Sequence, residues 1–229
     1  MIIAPHQDDE TIGCGGTIAL LRARGWRVGV VHVFCGNSGG PLKENAGLRR
    51  AEARGAGEVL GYDCLADLGF RDREDHDEAR MIKALVTQIR AYQPSLLLAP
   101  HPAERDCEHR LVARAAGEAS WTANALVFPG EPRHRVSVVM RYEVWSPIAR
   151  PSLYVDISRV VDTKRAALLR FESQLASTSW VEGALGLNAH RACTLQGSGF
   201  VEAFELDACS LKTASKVFGD MSGESCGDQ

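Results

Sequence analysis

No stretch of the chain reaches the roughly 18 consecutive apolar residues that a membrane-crossing helix needs. The N-terminus also lacks the basic segment and long apolar core of a secretory signal, so the expectation is a cytoplasmic protein. Charge of one sign is missing too: 26 Lys and Arg stand against 29 Asp and Glu, a net charge of -3. That excludes a surface built for nucleic acid or an anionic membrane and leaves a small molecule as the expected partner; a homo-oligomer is compatible with the composition. No Cys-x-x-Cys pair occurs among the seven cysteines, whose odd number and irregular spacing argue for reduced thiols rather than a disulfide framework. Nor is there an internal repeat or a linker. With 229 residues, 45% of them apolar, the chain suits one domain with a full core.

What the sequence does contain is concentrated in IIAPHQDDETIGCGGT, from Ile2 to Thr17. Ile2, Ile3 and Ala4 read as a buried strand, Pro5 ends it, and Gly13, Gly15 and Gly16 predict a tight connection before a helix from Ile18. A polar cluster is thereby placed at a strand's carboxyl end, where open parallel sheets keep their ligands. His6 and Asp9 are both good zinc donors, and Asp8 beside them is a candidate base for a water whose pKa zinc lowers to roughly 7. Helix capping by the three acids is the structural alternative. The second informative stretch is Pro100 to Arg110, PHPAERDCEHR, after the apolar run Leu96 to Ala99. Here a strand again gives way to histidines and acids before a helix, so either His101 or His109 can complete a three-ligand site. Cys14 and Cys107 read as small buried fillers rather than ligands.

Between and beyond these turns the periodicity predicts strands at Arg27 to Phe34, Cys64 to Leu68, Val136 to Trp145 and Ser152 to Ile157. Helices are predicted at Lys43 to Leu60, Met81 to Tyr92 and Thr163 to Leu175, and Gly197 to Phe204 as a turn followed by a strand or short helix. His32 reads as a core histidine and His76 as a solvated one. Arg49 and Glu52 are three apart on a helix, either as a surface ion pair or with Arg49 facing the site. Glu172, Ser173, Gln174, Trp180 and His190 are candidates for a cleft wall. Loops 35–45, 69–78 and 122–135 are expected to shape the pocket. Domain limits are expected at 1–206, with 207–229 an extension ending in a mobile tail.

Taken together, His6-Gln7-Asp8-Asp9-Glu10 with GCGG at 13–16, Arg49 with Glu52 ahead of LG at 60–61, DCEHR at 106–110, FESQL at 171–175 and VEAF at 201–204 resemble the PIG-L or LmbE-like zinc-dependent N-deacetylases. The resemblance implies an α/β fold, a single Rossmann-like three-layer α/β/α domain with a mostly parallel sheet. It implies His6, Asp9 and His109 as zinc ligands, Asp8 as general base and Arg49 as a substrate contact. Two positions depart from the family pattern. Asp106 stands where a histidine that assists the oxyanion is common, which leaves that task to His101 or to the metal alone and makes Asp106 a substrate-side group. Glu108 replaces an Asp and keeps a carboxylate behind the ligands. The implied activity is removal of an N-acyl group, acetyl first, from an amino sugar such as an N-acetylglucosamine conjugate. An amidase for a non-sugar substrate and an idle metal-binding module are the alternatives. Iron or cobalt also fits the donor set. A nucleotide-binding reading is disfavoured, since GCGG is not G-x-G-x-x-G and three acids precede the turn.

Overall fold

The computed structural model describes residues 1–37, 46–126 and 132–209. Strands β1 (Ile2–Ala4), β2 (Gly29–Phe34), β3 (Asp63–Phe70), β4 (Leu96–Pro100), β5 (Val138–Tyr142), β6 (Leu153–Asp156) and β7 (Val201–Cys209) form one sheet in the order β3-β2-β1-β4-β5-β7-β6. The first five strands of that order run parallel, and β7 pairs antiparallel with both β5 and β6. Parallel neighbours need crossovers, supplied by α1 (Asp9–Ala23), α2 (Ala46–Leu60), α3 (Glu78–Tyr92) and α4 (Cys107–Thr122). Three further helices, α5 (Val161–Leu168), α6 (Glu172–Leu175) and α7 (Trp180–Thr194), lie between β6 and β7.

Alternation along the strands divides the core into two layers. Ile2, Val30, Leu98 and Met140 face one side with Ile18, Leu60, Leu168 and Leu185 of the helices. Ile3, Val31, Leu97 and Val139 face the other, against Met81, Leu85 and Ile89 of α3 and Val112 and Ala116 of α4. The central strands β1, β2, β4 and β5 are buried on both faces, as a parallel sheet covered by helices requires, while the edge strands β3 and β6 are partly exposed. The order 3-2-1-4-5 reverses between β1 and β4. At that switch point the connections leaving the two strands diverge to opposite faces and open a crevice at the carboxyl edge.

The glycines after β1 do not form the expected turn. Gly13, Gly15 and Gly16 lie inside α1, which is kinked at Cys14 (φ -144°, ψ 22°). They are small because neighbours press on them: a Cβ on Gly13 would lie 2.6 Å from the Glu143 carbonyl oxygen, and one on Gly16 2.6 Å from Ile157 Cγ2. The kink releases backbone groups that a buried ion pair takes up. Glu202 accepts from Gly16 N, Thr17 N and Thr17 Oγ1, and Lys164, fully buried, donates to Ile12 O, Asn188 Oδ1 and Glu202 Oε1.

Other boundaries shift for local reasons. The helix expected over Thr163 to Leu175 is interrupted, because Phe171 turns into the core and Ser173 donates through N and Oγ to Glu52, both at 2.7 Å. β3 is longer than expected, β5 shorter, and β7 continues to Cys209, past the expected limit at 206. Residues 38–45, 127–131 and 210–229 lie outside the described residues, and with them parts of loops 35–45 and 122–135 and the expected tail. Among the described residues no helix is long and apolar enough to cross a membrane.

Candidate metal centre and active site

The two turns predicted to meet do meet. The turn after β1 carries His6, Asp8 and Asp9, and the N-terminus of α4, which follows β4, carries His109. Asp9 Oδ2 lies 3.4 Å from His6 Nδ1 and 3.2 Å from His109 Nε2, and the three donors stand within 4.8 Å of one another. Donors around a tetrahedral ion with bonds of ~2.0–2.1 Å are separated by roughly 3.3 Å, so this cage fits one. Orphaned nitrogens support the fit. Both ring nitrogens of His109 are buried without a hydrogen-bond partner among the described residues, Nε2 included, since its approach to Asp9 is close but misaligned. Burying an imidazole that way is costly unless a cation takes the lone pair.

Carboxylates back both histidines. His6 Nε2 meets Glu108 Oε2 at 3.1 Å, which leaves Nδ1 facing the cage, and His109 Nδ1 points towards Glu104 Oε2 at 3.9 Å. Such partners fix ring orientation and raise ligand basicity. Burial works against a charged His6, yet its contacts with Asp9 and Glu108 outweigh burial and raise its pKa to about 10. Asp9 is likewise disfavoured as an anion by burial but held well below the carboxylate range by His109 and His6. The negative charge that holds this proton also favours a divalent cation, which must displace the proton from His6 to bind.

Asp8 is buried beside the cage but is not one of its donors. Its backbone sits at φ 149°, ψ -26°, a region sparsely occupied by any residue but glycine, at a cost of roughly 1–3 kcal/mol. The strain turns the carboxylate into the cleft, where Oδ2 lies 3.1 Å from Arg49 Nη2. Burial pushes the Asp8 pKa up to about 6, with Arg49 pulling it down and the neighbouring acids Asp9 and Glu10 adding to the rise. A carboxylate so tuned is a better base than an ordinary one.

Arg49 is buried, and its Nε and Nη1 have no hydrogen-bond partner among the described residues. The surface ion pair with Glu52 does not form, since Glu52 turns to Ser173. Asp106 caps α4, accepting from Glu108 N and His109 N, and pairs with Arg73 Nη2 at 2.6 Å. His6, Asp8, Asp9, Arg49, Arg73, Asp106, Glu108 and His109 border a cleft of about 270 Å³, along with Asp72, Trp145, Gln174 and Trp180.

His101 is not brought to the cleft. It is buried, with Nε2 bonded to Ser146 O at 2.7 Å and 3.3 Å from Glu104 Oε1, and it is absent from the cleft lining. Glu172, Ser173 and His190 also lie outside the lining. Cys14 is a buried filler as read, while Cys107 is exposed against Arg73. His32 is a core histidine, 3.3 Å from buried Glu10. His76 is only half solvated, its Nε2 3.6 Å from Glu108 Oε1. Sequence reading missed Glu104, Arg73 and Trp145. Glu104 accepts from the backbone N–H groups of Val144, Trp145 and Ser146 and so ties the end of β5 to the α4 turn.

Residues 1–120 match the family described as PIG-L, GlcNAc-PI de-N-acetylase. The chain belongs to the PIG-L family. Among curated relatives, a diacetylchitobiose deacetylase from Thermococcus kodakarensis is 31% identical over 79% of this chain and 71% of its own length. Among solved structures, a conserved protein from Thermus thermophilus superposes with a TM-score of 0.81 at 28% identity, covering 92% of this chain and 94% of that one. A 4-carboxy-2-hydroxymuconate hydratase from Pseudomonas putida gives the same TM-score at 22% identity, over 92% and 96% of the two chains. At that distance the likeness shows a shared fold and nothing of the reaction.

Proposed function

We propose that this PIG-L family member is a zinc-dependent N-deacetylase that hydrolyses the acetamide of an amino sugar. The observation that carries the reading is the separation of roles at one turn: His6, Asp9 and His109 face one another as donors, while Asp8, strained and desolvated, stands beside them outside the donor set and paired with Arg49. An idle metal-binding module has no use for such a base. The deacetylase relative supports the amide and the sugar over a non-sugar acyl substrate.

When bound by His6, Asp9 and His109, zinc would supply Lewis acidity to water and to the acyl oxygen. Asp8 then takes a proton from the water as its oxygen attacks the carbonyl carbon. The C–N bond breaks, Asp8 returns the proton to the departing nitrogen, and acetate and a free amine result. Arg49 meets Asp8 through Nη2 and borders the cleft, a cation placed to hold a substrate oxygen beside the base. Asp106 and Arg73 border the same cleft and are suited to hydroxyl groups. We assign His101 to fixing Glu104 and Ser146 rather than to the oxyanion.

The test is acetate and amine release from a panel of N-acetylated amino sugars, with chelator and with added zinc. Equal amounts of both products, lost with chelator and regained with zinc, are expected. Chelator-insensitive release, or none from any sugar, contradicts the reading.

A further inference from the structure

One wall of the cleft takes no part in this chemistry. Trp145, just beyond β5, meets the His109 ring at 6.4 Å between centroids, and Trp180, at the start of α7, meets Trp145 edge-to-face at 4.7 Å and 89°. Two of the chain's four tryptophans therefore stand in a row that begins at a metal-ligand candidate, Trp180 also resting partly buried against the core. Trp145 is 52% exposed, a large apolar surface that folding has not covered. Its place is imposed rather than incidental, because Glu104 holds the backbone N–H groups of Val144, Trp145 and Ser146.

The polar groups that join Trp180 at the cleft from the segment before α7 are Gln174, Ser177 and Thr178, all neutral. Aromatic surface beside hydroxyl and amide groups suits a pyranose, which has apolar C–H faces and a rim of hydroxyls. Among the described residues of that wall there is no cation for a carboxylate or phosphate.

We propose that Trp145 packs the hexosamine whose acetamide lies at the metal centre, and that Trp180 packs a second, neutral pyranose linked to it. The site then selects an N-acetylhexosamine bearing another sugar over the free monosaccharide. This rests on the deacetylase reading above. The experiment compares kcat/KM for acetate release from N,N'-diacetylchitobiose and from N-acetylglucosamine in zinc-loaded wild type, Trp180→Ala, Trp180→Phe and Trp145→Ala. Because the readout is a ratio between two substrates, a loss of folded protein cancels. Wild type should favour the disaccharide, and Trp180→Ala should lower that preference by about 5- to 10-fold, the worth of one ring contact. Trp180→Phe should retain most of the preference, and Trp145→Ala should slow both substrates together. A ratio in Trp180→Ala within twofold of wild type overturns the inference while leaving the deacetylase reading intact. Release from neither sugar by wild type overturns both.

Discussion

The imidazole of His6 and the carboxylate of Glu108 meet at 3.1 Å although 102 positions separate them in the chain. Glu108 is fully buried and also accepts from the backbone N–H of Arg73, so it cannot swing away from the ring. It fixes the His6 face that turns to Asp9 and His109. Glu108→Gln should therefore weaken zinc binding by about 10- to 100-fold without removing a ligand. Competition with a fluorescent chelator measures this; an unchanged Kd would contradict it.

Lys164 and Glu202 form the buried pair that accommodates the kink in α1. Lys164→Met leaves Glu202 charged and partly unpaired in the core and should cost about 3–5 kcal/mol of unfolding free energy. Urea denaturation reports it, and a loss under 1 kcal/mol would show that the pair is dispensable.

Gly16 is pressed against Ile157, 2.6 Å from where a Cβ would be. Gly16→Ala should destabilise the protein by about 1–3 kcal/mol through overpacking. In the Gly16→Ala background, Ile157→Ala should cost less than in wild type, because it removes Cγ2 and Cδ1 and leaves only Cβ, at 2.7 Å, to be accommodated. Additive losses in that double-mutant cycle would place the strain elsewhere.

The acid limb of the rate follows from Asp8, which must be a carboxylate to take a proton. Its pKa is pushed up to about 6 by burial, so the active fraction falls as pH drops through that value. A bound cation nearby favours the charged form and moves the limb lower, never higher. At saturating zinc the acid limb of kcat/KM should have its midpoint at or below about 6, where burial sets Asp8; a midpoint above pH 7 would assign the base to another group.

Much of this site was legible because its chemistry lies in two short segments at strand ends. His6, Asp8, Asp9 and His109 sit where apolar runs give way to helices, and the switch point of a parallel sheet brings such places together. What stayed hidden depends on contacts from remote parts of the chain. Glu104 looks like any loop acid until the N–H groups of residues 144–146 close on it. His101 has the composition of a site residue, and only the position of the Ser146 carbonyl shows it bonded away from the cleft. GCGG misled because glycine serves turns and close packing alike; the pressure of Tyr142 and Ile157 that makes it necessary comes from more than 100 residues later. Phe171 likewise breaks the expected helix by entering a core cluster that periodicity along one segment cannot reveal.

The separation of base from ligands is tested most directly by Asp8→Asn, with zinc content and acetate release measured on the same preparation. Variant and wild type should each hold one zinc per chain, while turnover in the variant falls by 100-fold or more, the lower range for a positioned base being about 10²-fold. Loss of zinc would make Asp8 a ligand, and retained turnover would remove it from the chemistry; either result contradicts the account.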